Sequence, residues 1–258
     1  LTTTGASNTA VGTEALLDNT TGTNNVAVGE SALANNTTAS ENTAVGQNAL
    51  LTNTTGGNLV AVGHDSLRLN TTGSHSVAVG LDALRSNTTA NHNVAIGKEA
   101  MTSNTTGATN VAIGGEALKS QTEGGNNVVV GYQALDADTK GSRNVAIGYQ
   151  ALSTQNFTSA TNSHNTAVGY QAMLANTTGE ANTAVGTSAL DSNTTASNNS
   201  AFGFAALDAN TTGARNTALG QGALQQNTEG DNNVAVGSTC LDANTTGTQN
   251  VGVGRDAL

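Results

Sequence analysis

The chain repeats itself every 17 residues, and that period decides what it can fold into. The glycine that closes each Ala-Val-Gly run recurs at Gly12, Gly29, Gly46, Gly63, Gly80, Gly97, Gly114, Gly131 and Gly148. Gly169 follows after 21 residues, and Gly186, Gly203, Gly220, Gly237 and Gly254 resume the spacing of 17. Fifteen copies of Asn-(Thr/Val)-Ala-(Val/Ile)-Gly-x-x-Ala-Leu-x-x-Asn-Thr-Thr-Gly-x-x thus span residues 1–258, with one four-residue insertion within 153–164. No linker or shift of composition interrupts the series, so it reads as a single repeat domain. Helix-pair repeats need roughly 33 residues or more, which this unit cannot supply. Gly, Asn and Thr every few residues disfavour helix as well.

Comparing the copies column by column shows which positions are constrained. The residue before the glycine is always bulky and apolar, as in Val11, Val28, Ile96, Ile113, Phe202 and Leu219. Four residues after the glycine comes Leu, replaced only by Met101 and Met173. Both columns are expected to be buried. Val26-Ala27-Val28 has the alternation of a strand, and Val and Thr favour strands. One turn of a parallel β-solenoid fits best, with two short strands per coil and Gly and Asn at the corners. Gly12 and its equivalents permit the positive φ of a sharp corner. Asn-Thr-Thr-Gly is turn chemistry on the other side. A coil that buries so few large side chains falls short of the entropy lost in ordering it. Additional burial is therefore expected, and the Ala of the strand, replaced only by Val129 and Gly252, is expected to face another chain.

Composition excludes several function classes. The 258 residues include no Pro, no Trp, 2% aromatic side chains and a formal charge of -10. An acidic chain lacks the basic face that nucleic acid requires. The lone Cys240 excludes an intrachain disulfide and a cysteine-based zinc site. No apolar run approaches the roughly 20 residues of a membrane span. Leu1 does not open a signal peptide, and both ends stop inside the motif, so a segment of a longer fibre is expected.

The run Asn93-Val94-Ala95-Ile96-Gly97-Lys98-Glu99-Ala100 resembles the head repeat of YadA-like trimeric autotransporter adhesins. The unit containing Gly131-Tyr132-Gln133-Ala134-Leu135 is similar to repeats of phage tail-fibre proteins. The first resemblance implies a left-handed parallel β-roll. Both imply a homotrimeric extracellular fibre, on a cell surface or a virion, that meets a host-surface glycan or protein receptor. The Asn-Thr-Thr-Gly stretch makes the present unit longer than the adhesin one.

Few residues depart from this texture. Tyr132, Tyr149 and Tyr170 follow the corner glycine in three consecutive coils, and Phe157 lies in the insertion between the last two. These four are the ligand candidates, for a glycan. His75, His92 and His164 share a variable surface column, which predicts solvation rather than metal binding. No catalytic, cofactor-binding or metal-ligating set converges, so no cofactor and no enzymatic activity are expected. The Asn-Thr-Thr sequons are generated by the repeat, and Cys240, in an Ala column, predicts a buried thiol. The resulting reading is an all-β solenoid acting as a structural or adhesive fibre segment. The alternative is an ice-binding solenoid with a Thr ladder, although adjacent Thr20 and Thr21 alternate in direction and Glu123, Lys140 and Glu229 interrupt the row.

Overall fold

A computed structural model describes residues 3–257, so Leu1, Thr2 and Leu258 lie outside the described residues. The described residues form strands and turns and no helix. The chain divides into two compact units, Leu1–Asn126 and Asn127–Leu258. The first holds seven three-residue strands, from Thr9–Val11 to Val111–Ile113. The second holds eight, from Val128–Val130 to Val251–Val253, and a two-stranded pairing of Gly141–Ser142 with Thr161–Asn162. Successive strands pair in parallel and in register, as in Val26↔Thr43, Ala27↔Ala44 and Val28↔Val45. Each unit is therefore a parallel β-solenoid.

Apart from the coils that carry the Gly141–Ser142 and Thr161–Asn162 pairing, one strand per coil is present where the sequence predicts two. The second is replaced by turns whose amides alternate between partners within the coil and partners outside it. Ala83 N donates to Gly80 O at 3.3 Å, whereas Leu84 N donates to Ala100 O of the next coil at 2.9 Å. That path needs left-handed backbone at Leu84 (φ 53) and Asp82 (φ 55), and at the same positions of other coils. A β-branched side chain is strained there. This explains a column confined to Leu and Met, although Val and Ile have similar hydrophobicity.

The corner glycine is fixed twice over. Gly29 has φ 134, and a Cβ on it would stand 2.6 Å from Gly46 O of the next coil. Only glycine lets successive corners stack this closely.

The strand faces are inverted relative to expectation. Ala27, Ala44, Ala61, Ala78, Ala95 and Ala112 are 0% exposed and line the interior. Beside them lie the buried Ala32 and Leu33 and their equivalents. The bulky columns instead point outward, leaving Val26, Val60, Ile96, Ile113 and Val128 between 36% and 40% exposed. The coil is too narrow for opposed large side chains, so Ala fills one wall and Leu the other. Val129, the one larger residue among the alanines, is also buried.

Two amide ladders occupy the remaining interior. Asn53 Nδ2 donates to Asn36 Oδ1 of the preceding coil at 3.1 Å and to Gly56 O of its own turn at 2.9 Å. In the second ladder Asn42 Oδ1 accepts from Leu59 N at 3.0 Å, while Asn42 Nδ2 donates to Gly56 O at 3.0 Å. Polar groups so deeply buried are tolerated because the network pairs them.

Candidate functional site

The position after each corner glycine has left the sheet, so its side chain stands in solvent. In the second unit three such positions carry Tyr132, Tyr149 and Tyr170, which are 46%, 42% and 50% exposed. Their rings stack, with centroids 5.8 Å apart for Tyr132–Tyr149 and 5.3 Å for Tyr149–Tyr170. The second stack survives the insertion because Ile147 and Val168 remain paired in register. The extra residues are absorbed on another side of the coil.

A second ladder runs beside the tyrosines. Gln150 Nε2 donates to Gln133 Oε1 at 3.0 Å, and Gln171 Nε2 donates to Gln150 Oε1 at 3.2 Å. The sequence signal for it is the dipeptide Tyr-Gln, which occurs in the same three coils. Stacking directs the ring faces at one another along the row. Solvent meets chiefly ring edges, so stacking of a sugar on every tyrosine face is excluded.

Phe157 does not join this surface. It is only 6% exposed. Its backbone N donates to Asp138 Oδ1 at 3.0 Å, and its carbonyl accepts from Lys140 N at 3.1 Å. Asp138 stands where the ladder elsewhere has an amide, Asn or Gln, and it also accepts from Gln155 Nε2 at 2.8 Å and Gly141 N at 3.0 Å. A carboxylate accepts where an amide would donate, so the turn reverses its hydrogen bonding and the inserted segment tucks inward. Burial nevertheless holds the Asp138 carboxyl above its ordinary pKa.

The other candidates remain separate. His75 and His92 stack at 5.0 Å with rings 4° from parallel. No group of three or more His, Cys, Asp or Glu is placed to hold a metal among the described residues. Cys240 is free and buried. Asp65, Asp82, Glu99 and Glu116 share one column in consecutive coils, but cations neutralise them. Arg68 lies 3.5 Å from Asp65, Arg85 3.6 Å from Asp82, and Lys119 2.7 Å from Glu99. The hydrogen bond from Lys119, aided by Lys98, lowers the Glu99 carboxyl below its ordinary value.

The Asn of the sequons, such as Asn53 and Asn70, is wholly buried in the ladder. The hydroxyls of Thr54 and Thr71 donate to the carbonyls of the next coil at 3.0 Å each. Thr21, Thr38, Thr55, Thr72, Thr89 and Thr106 form a single exposed file.

Fold and surface together define a class, the parallel β-solenoid repeat proteins. No family model, no curated protein and no solved structure matches the chain.

Proposed function

We propose that the chain is a structural segment of an extracellular fibre, on a cell or a virion, that self-associates and serves as a spacer or head for surface attachment. The observation that carries this reading is the outward apolar face of the sheet. Val77, Val79, Val94, Ile96, Val111 and Ile113 follow one another on adjacent strands of the first unit. Single exposed apolar residues are ordinary, but a contiguous two-column stripe is the mark of an interaction surface. A second copy of the same chain offers the matching stripe. A homotrimer is the assembly implied by the resemblance of the repeats to adhesin heads and tail fibres, and with the Ala column sealed inside, the partly exposed Val/Ile columns are the face proposed for its contact. The hydroxyls spent on backbone carbonyls, and the single file of the others, favour a structural ladder over ice binding.

The test is a pair of outward substitutions. Ile96→Asp with Ile113→Asp should give a folded chain of smaller mass in light scattering, since both sites are partly solvated. Ala95→Asp should unfold it, because that charge would enter the sealed interior. An outward double variant that assembles like the parent would refute self-association through this face.

A further inference from the structure

The aromatic row does not end at Tyr170. The residue after the corner glycine is Thr187 in the next coil and Phe204 in the one after, and Phe204 is 58% exposed. The three coils are held in register by Val168↔Val185 and Val185↔Phe202. Tyr170 has Tyr149 against one face only, and the short Thr187 stands on its other side. A gap one coil wide is thus bounded by Tyr170 and Phe204, with the exposed Thr187 as its floor.

Its width discriminates among guests. Two strand spacings amount to about 9.6 Å. Where aromatic rings occupy adjacent coils, the centroid separations of 5.3 Å and 5.8 Å admit nothing. A flat ring in contact with both walls needs roughly 3.5–4.0 Å on each side, about 7–8 Å in all. An aromatic guest would leave this gap partly empty, whereas a puckered saturated ring uses the surplus. The floor offers a hydroxyl, and Tyr170 adds a phenolic one beside the apolar walls. Apolar faces with polar tips match a ring that has apolar C–H faces and hydroxyls around its rim.

We propose that Tyr170, Thr187 and Phe204 form a slot for one pyranose ring of a neutral glycan. The proposal rests on the attachment reading above and gives that attachment a ligand class. It replaces a row of four aromatic contacts by a single interstitial site. The slot lies past the corner glycines and not on the strand residues of the outward sheet face. One slot per chain binds weakly, and repetition within an assembly raises avidity without new contacts.

Saturation-transfer NMR on the intact chain tests this, using the methyl pyranosides of glucose, galactose, mannose and N-acetylglucosamine at roughly 10 mM, suited to millimolar affinity. At least one should show transfer to its ring protons. Thr187→Phe, which continues the stacked row and fills the slot, should reduce the signal roughly tenfold, as should Phe204→Ser. Leu81→Ser, at an exposed apolar site of the same column in the first unit, should leave it unchanged. Circular dichroism and light scattering on each variant keep loss of fold or assembly apart from loss of the slot. Absence of transfer from all four glycosides, or an undiminished signal in folded Thr187→Phe, would overturn the slot. Neither result would touch the self-association reading.

Discussion

A methyl carbon placed on Gly252 would stand 2.6 Å from the Sγ of Cys240. Gly252 occupies the interior column that is alanine in every other coil but that of Val129, and Cys240 occupies the facing column, also largely alanine. The two departures form a matched exchange of volume across the narrow interior. Gly252→Ala should therefore destabilise by about 1–3 kcal/mol through overpacking. Cys240→Ala in the same chain should recover part of the loss, the contact of the new methyl with Leu241 remaining. Urea unfolding of both single variants and the double would show a strong interaction energy. Additive effects would mean that the columns do not meet.

The Asn ladder makes a second claim about stability. Asn70 Nδ2 donates to Asn53 Oδ1 at 2.8 Å and to Gly73 O at 2.9 Å, and Asn70 Oδ1 accepts from Asn87 at 2.8 Å. Asn70→Ala strands partners on both sides, each at a cost of about 1–3 kcal/mol, so a total near 3 kcal/mol or more is expected. Thr72→Ala, on the exposed file, should change stability by no more than about 0.5 kcal/mol. Similar melting temperatures for the two variants would contradict the buried ladder.

Much of this was legible in the residues, and each departure has its own physical cause. The period, the buried Leu column and the glycine corners follow from the spacing of a few residue types. Alternation in Val26-Ala27-Val28 shows that the two faces differ but does not say which is inside. The answer depends on the width of the coil. That width is set by left-handed turns at Leu84 and its equivalents, which propensity does not announce. The exclusion of Val and Ile from that column was the available signal. Phe157 was misplaced because a loop aromatic looks exposed until Asp138, lacking amide protons to donate, draws the segment inward. The Tyr row was correctly placed at the surface, yet its faces are used internally, which only the coil spacing reveals.

The corner glycines should tolerate nothing larger. Gly29→Ala would meet Gly46 O and hold φ at a value L-residues rarely adopt. Strain of about 1–3 kcal/mol adds to the steric conflict, so a melting temperature well below that of the parent is expected. An unchanged melting temperature would show that successive corners do not stack this closely.

Acidity should stabilise one part of the second unit. Burial, followed by the charge of Asp208, holds the Asp191 carboxyl above its ordinary 3.8. The folded state therefore binds that proton more tightly than the unfolded state. Its stabilising contribution is complete below pH 3.8 and is lost as pH rises through the raised folded value. Asp191→Asn should raise the melting temperature at pH 7 relative to the parent, and the difference should vanish near pH 3. A variant that melts lower than the parent at neutral pH would reverse the assigned sign.

Sedimentation equilibrium of the unmodified chain, over a wide range of concentrations, tests self-association through the outward Val and Ile columns most directly. The account predicts an assembly of three times the chain mass of 25.5 kDa, stable on dilution. A folded monomer of 25.5 kDa at every concentration would contradict it.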